Sequence, residues 1–295
     1  MIEQAIYQHL IKQPSLARHL TQYADLPAIF NQKAPADNDP AWESGTKYGR
    51  IVFDVDLSGD PERSMGGMLS VDIMCEESRQ SPDEVWPELN RLIHGYFFSK
   101  GRFVVAAQWK NTSYFTEPTN QVAGCTVTYD LLGFPVLTTF RPDVIDRLNT
   151  WSSRIPGLHV INHDELPDDA WRPCGRETAV YWRLVTDNPA VWIPDTYSTI
   201  WRTATIRGHI FAEDNATAAG VARDLTIRLH AAKRLKKDGE APLMVNRRNT
   251  VEMSADPLRT GQVTVEATYG VVVYFSPDET LEHIDYTERS QQNGE

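Results

Sequence analysis

Three aspartates, Asp54, Asp56 and Asp72, fall on the polar phase of two neighbouring alternating segments, a pattern that gathers carboxylates on one face of a sheet. Carboxylates so placed can share acid and base roles or hold Mg²⁺. A wetted face, or the wall of an acidic channel, accounts for them more simply. His163, Asp164 and Glu165 form the densest run of metal-capable residues. They sit in a polar stretch whose counterpart in the first half is Ala34, Pro35 and Ala36, so a solvated loop is expected there and no metal site.

Cys75, Cys125 and Cys174 stand about fifty residues apart, without a CxxC or other paired spacing, so neither a disulfide framework nor a zinc site is expected. Cys75 and Cys125 lie on the apolar phase of their segments, where a small core residue is the simplest reading. No GxSxG, HExxH, GxGxxG or GxxxxGK[ST] pattern occurs, which removes those routes to nucleophilic, zinc-dependent or nucleotide chemistry. No cofactor is therefore expected.

Arg223, Arg228, Lys233, Arg234, Lys236 and Lys237 form a basic cluster in an acidic chain. Favourable charge at a helix C-terminus explains it; the functional alternative is contact with an acidic neighbouring subunit or a phosphate backbone. The segment GQVTVEATYGVVVYF keeps one alternating phase through Val263, Val265, Ala267, Tyr269, Val271, Val273 and Phe275. That exceeds the usual strand of about five or six residues. A strand that outruns its own sheet would offer edge groups to a second chain, so these residues are candidates for a subunit interface.

The elements that must position these residues follow from the hydrophobic pattern. The chain has 295 residues, about two domains' worth, with 41% hydrophobic residues and a net charge of −11. The composition is globular, and the charge argues against a sequence-reading nucleic-acid binder. No signal peptide and no transmembrane run are evident, and the reading is a protein of reducing cytoplasm.

Apolar spacing predicts helices over residues 2–12 and 15–23, 83–98, 142–153 and 215–236. Alternation predicts strands over 50–57, 69–75, 102–109, 123–132, 178–186, 200–212, 243–253 and 261–275, with the polar segment NTSYFTEPTNQ separating two of them. The composition of SGDPERSMGG reads as a turn.

A shift of 129 residues places Leu26 and Pro27 on Ile155 and Pro156, and Asp39, Ala41 and Trp42 on Asp168, Ala170 and Trp171. It also places Ile51, Phe53 and Val55 on Val180, Trp182 and Leu184. Both halves read helix, strand, strand, helix, strand, strand. The expected fold is α+β: two similar domains, each a mostly antiparallel sheet of about four strands with helices on one face. Their expected extents are 1–134 and 135–295, ending in a mobile tail over about 288–295.

The first half resembles the tail-terminator, or tail-completion, proteins of long-tailed bacteriophages. The likeness is carried by an N-terminal helix, then GRIVFDVDLSGDPERSMGGMLSVDIMCEESRQSPDEVWPELNRLI, then two closing strands. The second half looks like a divergent copy, with IRGHIFAEDNATAAGVARDLTIRL and LMVNRRNTVEMSADPLRTGQVTVEATYGVVVYF in the corresponding places. The resemblance implies a structural virion protein without catalytic residues, assembled in the host cytoplasm. It would form a homo-oligomeric ring, usually of six subunits, that caps the tail tube and docks to the head-tail connector or neck protein. DNA would pass through the lumen without specific binding, and no membrane is involved. Typical members carry one such domain, so the tandem arrangement leaves a trimer as well as a hexamer open. Three other readings are another neck, connector or sheath-end protein, a small hydrolase or nuclease using the acidic face, and a binding module of two ferredoxin-like halves.

Overall fold

A computed structural model of the chain describes residues 2–42, 47–60, 63, 65–101, 103–118, 121–135, 142–163, 166, 169–236, 243–245 and 248–273. The fold is α+β, five helices on two mixed sheets.

The first half begins with α1 (Ile2–Ile11), whose Ile2, Ile6 and Leu10 recur at helical spacing and are all buried. Pro14 opens the single turn α2 (Pro14–Ala17). The helix expected over 15–23 stops there, because the chain next forms the small hairpin of β1 (Gln22–Tyr23) and β2 (Leu26–Pro27). Then follow β3 (Ile29–Asn31), β4 (Arg50–Ser58), β5 (Gly66–Glu76), α3 (Pro82–Ile93), β6 (Phe97–Lys100), β7 (Phe103–Glu117) and β8 (Val122–Gly133). In α3 the Ser81 hydroxyl accepts from the Asp83 N–H, and Pro82 occupies the first helical position, where it is tolerated. This helix ends five residues short of the expected 98, because Gly95 takes a positive φ and Phe97 joins the sheet. The polar segment expected to separate two strands is mostly strand itself: β7 runs on to Glu117 with its tip exposed on both faces.

The second half contains α4 (Val144–Ser152), β9 (Leu158–Val160), β10 (Asp169–Trp171), β11 (Thr178–Pro189), β12 (Thr199–Phe211) and α5 (Asn215–Ala232). It closes with β13 (Arg234–Leu235), β14 (Leu243–Val245), β15 (Thr250–Val251) and β16 (Val263–Val272). Helix α5 ends at Ala232 rather than 236, where Lys233 turns to a φ of 56°. The single strand expected over 243–253 is two short pieces on one edge of β16.

The first sheet runs β10-β6-β7-β8-β5-β4-β3, and the second β13-β14-β16-β12-β11-β9 with β15 also on β16. Each therefore has seven strands instead of the expected four. Each also includes one parallel pair, β3 on β4 and β9 on β11, beside its antiparallel ladders. The extra strands are two to four residues long, too short to carry a readable period. Apart from β10 and β15, the orders match: β3-β4-β5-β8-β7-β6 in one sheet follows the same path as β9-β11-β12-β16-β14-β13 in the other. Helices α1 and α3 pack on the first sheet, α4 and α5 on the second. Strand β10, from the second half of the chain, pairs with β6 and so completes the edge of the first sheet.

Each sheet has its own core. Ile51, Phe53, Val71, Ile73, Val127 and Tyr129 anchor one, Val180, Trp182, Ile206, Val265 and Leu225 the other. In the second, Trp182 lies across Gly208, its cross-strand partner. A Cβ at Gly208 would meet the indole at 2.5 Å. Gly208→Ala is therefore expected to cost about 2 kcal/mol through overpacking, measured by urea unfolding, whereas Gly220→Ala, where a Cβ meets nothing, leaves the core intact.

Candidate functional site: the seam between the sheets

A third apolar cluster joins the two halves. It comprises Phe97, Val104, Ala106, Leu132 and Phe134 from the first, with Ile161, Ala179, Tyr181 and Leu258 from the second, and Trp171 and Phe211 packed against it. Phe134 meets Tyr181 edge-on with centroids 5.0 Å apart, and Phe97 meets Phe211 in the same way at 5.0 Å. These are the favoured edge-to-face arrangements of aromatic pairs. The pairs Ala179–Phe211 and Tyr181–His209 sit opposite each other on β11 and β12, on the phase that points away from α4 and α5. Along Ala179–Trp182 both faces of β11 are thus buried, one by helices and one by the other half of the chain.

Arg63 enters this seam from the connection between β4 and β5. Its side chain is almost fully buried, and its guanidinium lies 5.0 Å from the Phe134 ring centroid and 5.6 Å from that of Tyr181. Nη2 donates to the carbonyls of Leu258, at 2.6 Å, and Arg259, at 3.3 Å. It also faces the His209 ring at 3.3 Å. Asp60 shapes the connection by accepting from the Arg63 N–H at 2.7 Å.

His209 is completely buried, and its Nδ1 lies 2.7 Å from the Pro257 carbonyl, to which it donates. Burial first, then the charge of Arg63, pushes its pKa down to about 3, so the ring is neutral. One more side chain ties the 252–262 segment to β12: Gln262 accepts from the Ile210 N–H and donates to the Ile210 carbonyl, each at 2.8 Å. The rim carries exposed ion pairs, Arg259 and Lys110 with Asp130, of the kind worth little singly. A buried cation held by carbonyls and rings, beside a neutral imidazole with no solvent access, is equipped to clamp two sheets together rather than to meet a substrate.

Beside the seam opens a cleft of about 620 Å³, lined among others by His94, Gln108, Arg172, Asp214, Ser254 and Asp256. Burial and the neighbouring Arg172 hold His94 below its ordinary pKa, and its Nδ1 accepts from the Trp109 N–H. Asp214 is committed to capping α5 through Thr217, and Asp256 accepts from the N–H of Leu258.

The sequence-derived candidates are distributed elsewhere. Asp54 and Asp56 are exposed on the outer face of the first sheet; they stand opposite Ser70 and Met68, while Asp72 stands opposite Val52 and accepts from Thr126. The three share a face without converging, and among the described residues no group of three or more His, Cys, Asp or Glu side chains could hold a metal ion. Cys75 and Cys125 are buried, which pushes their thiols up to about 11 and about 12; Cys174 is exposed. His163 lies in an exposed turn, and Asp164 and Glu165 lie outside the described residues.

The basic cluster does not form the last turns of a helix. Arg223 and Arg228 are on α5, the latter paired with Asp224, but Lys233 follows its end, Arg234 is in β13 and Lys236 comes after it. All five are exposed, and Lys237 lies outside the described residues.

The expectation that the last strand outruns its sheet does not hold for the described residues. Strand β16 pairs with β12 from Val263 to Val272, and among the described residues β15 and β14 cover its other edge at Val263–Thr264 and Ala267–Thr268. The side chains of Val263, Val265 and Tyr269 are buried in the chain's own core, with Val271 packed beside them. Val273 still bonds through its N–H to the Ser198 carbonyl, and Phe275 and the 288–295 tail lie outside the described residues. The strand is long, and its antiparallel partner β12 is longer still.

Arg63 and His209 went unnoticed in the sequence because neither belongs to a motif. The available signal was the apolar character of both phases at Ala179–Trp182 and Val104–Ala107, which marks strands covered on two sides. Comparison with known proteins finds no matching family and no matching curated protein.

Proposed function

We propose that the chain is a tandem of two tail-terminator-like units and serves as a structural ring protein at the head-proximal end of a phage tail. The observation that carries this reading is the common strand order of the two sheets, each with its helices on one face. Such a repeat is what a duplicated α+β unit would leave after its sequence had diverged, and the first unit has the element order on which the resemblance rests. The ring would end the tail tube and join it to the connector or neck protein, in a virion assembled in the host cytoplasm. Asp54 and Asp56, exposed on the first sheet, together with the net charge of −11, suit a surface past which DNA slides without being held. No helix among the described residues is long and apolar enough to cross a membrane.

Negative-stain images of the protein, alone and on purified tails, are expected to show closed rings with a central lumen. Particles made without the chain are expected to have overlong or unjoined tails. Heads that leak DNA with tails of normal length would instead favour a head-completion role, and the absence of rings in both preparations would overturn the reading.

A further inference from the structure

The contact between the two halves of the chain is directional. The first half gives its β6 end: Phe97, Phe98 and Ser99 take β10 as an added strand, and Phe97, Ala106 and Leu132, in line across β6, β7 and β8, are buried against the second half. The second half gives its opposite end: β10 lies in the connection from β9 to β11, and beside it come Ala179, Tyr181, His209 and Phe211 on the outer face of β11 and β12. Because the two sheets follow the same strand path, one end of each kind is left over. The second sheet stops at β13, whose outer edge pairs with no strand among the described residues. The first half begins with β3, β4 and the connection between them. These are the far edges of two different sheets, so each finds the kind of surface it lacks on another copy.

The left-over ends carry opposite charge. Leu235 of β13 is buried in the core, so Arg234 and Lys236 on either side of it turn outward. The row Arg234, Met244 and Thr268 across β13, β14 and β16 stands where Phe97, Ala106 and Leu132 stand in the first sheet. Lys233 precedes that row. Arg154 lies just past α4, as Lys12, which pairs with Asp169 of β10 at 3.4 Å, lies just past α1. Arg154, Lys233, Arg234 and Lys236 are exposed, and none has an ion-pair partner among the described residues. At the other end, the outer face of β4 and β5 carries Val52, Asp54, Asp56 and Asp72, and the connection before β4 carries Asp37 and Asp39. The 129-residue echo sets Ala41 and Trp42 of this connection on Ala170 and Trp171 of β10. Here the segment folds back on its own half, Trp42 bridging to Tyr23, and presents a shaped acidic surface in place of a free strand.

We propose that the β13 end of one copy binds the β3–β4 end of the next, repeating between copies the contact that joins the halves within one, with a charged lining in place of the aromatic one. This rests on the ring reading and names the surfaces that would close it. One heterologous contact repeated at every boundary generates a ring when its rotation closes. A charged lining suits chains that are made separately: each end stays solvated until it meets its complement, and opposite patches steer the encounter and suppress wrong pairings. It also gives the basic cluster of a chain with net charge −11 an acidic partner.

The test uses the full chain and two double variants. Arg234→Glu with Lys236→Glu makes both ends acidic, and Asp54→Lys with Asp56→Lys makes both basic. In sedimentation velocity each double variant alone is expected to associate at least about tenfold more weakly than the wild type, the cost of like charges brought face to face. All four positions are exposed, so circular dichroism and melting should be unchanged. An equimolar mixture of the two variants is expected to regain wild-type association, because every β13 end then finds an end of opposite charge, and mixing repairs no folding defect.

Undiminished association in solution, or undiminished ring formation on purified tails, in either double variant would overturn the docking contact and leave the ring reading standing. A mixture that associates no better than its components would do the same. A wild-type chain that remains monomeric in solution and forms no ring on tails would overturn the ring and the docking contact together.

Discussion

Arg63→Ala is expected to lower the stability of the chain by about 3–5 kcal/mol, the range for truncating a large buried side chain and leaving its polar partners unmet. The residue comes from a connection that composition marks only as a turn, yet it ends between two rings and two carbonyls contributed by residues about 70 to 200 positions later. Three consequences of its removal add. The space beside Phe134 and Tyr181 empties, the Leu258 carbonyl loses its 2.6 Å donor, and the cation–π contacts disappear. Arg63→Met separates the causes, since it restores volume but not the donors, and its cost should fall to about half. Arg63→Lys should rescue little, because a single ammonium cannot stack on rings while bonding two carbonyls as a planar guanidinium does. Urea unfolding followed by tryptophan fluorescence measures all three. If the seam clamps the halves, Arg63→Ala should also split one transition into two. A change below about 1 kcal/mol in Arg63→Ala would show that the aromatic contacts hold the seam by themselves.

The extent to which this architecture could be read from sequence follows from which faces are buried. Strand β4 alternates cleanly between Ile51, Phe53 and Asp54, Asp56, because helices cover one side of it and solvent the other, and both its position and its phase were legible. The same holds for α3, whose Val85, Leu89 and Leu92 all point inward. The 129-residue echo was legible because the equivalent core positions Ile51 and Val180 kept apolar residues. Strands of two or three residues, such as β3, β9 and β10, hold no full period, so nothing local distinguishes them from loop. The seam failed to register for the opposite reason. Tyr181, His209 and Phe211 occupy the phase that a one-sided sheet gives to solvent, and only the other half of the chain makes that phase interior. The exposed tip of the β11–β12 hairpin was missed because Val191, Trp192 and Tyr197 resemble ordinary core residues in composition, and only the fold shows that no core surrounds them.

Acid should destabilise the protein through His209 well before carboxylate titration. Its pKa is about 3 in the folded chain and about 6.5 in the unfolded one. Between those values the unfolded state binds the additional proton, so stability rises with pH across that window and is flat above it as far as this group is concerned. Each pH unit below about 6.5 should cost about 1.4 kcal/mol, or about 3 kcal/mol by pH 4.5. His9 and His94 are also held below their ordinary values by burial and act in the same direction. His209→Gln should therefore remove one proton's worth of the slope and leave the rest, even if it lowers stability at neutral pH by breaking the bond to Pro257. Arg63 provides an internal control, because its charge, with those of Arg183 and Arg207, holds the imidazole neutral. In Arg63→Met the His209 pKa should rise and the acid slope begin to flatten at a higher pH. Urea unfolding between pH 4 and pH 8 reads the slope directly. An unchanged slope in His209→Gln would mean that the imidazole is protonated in the fold, and that the seam holds two cations together rather than one.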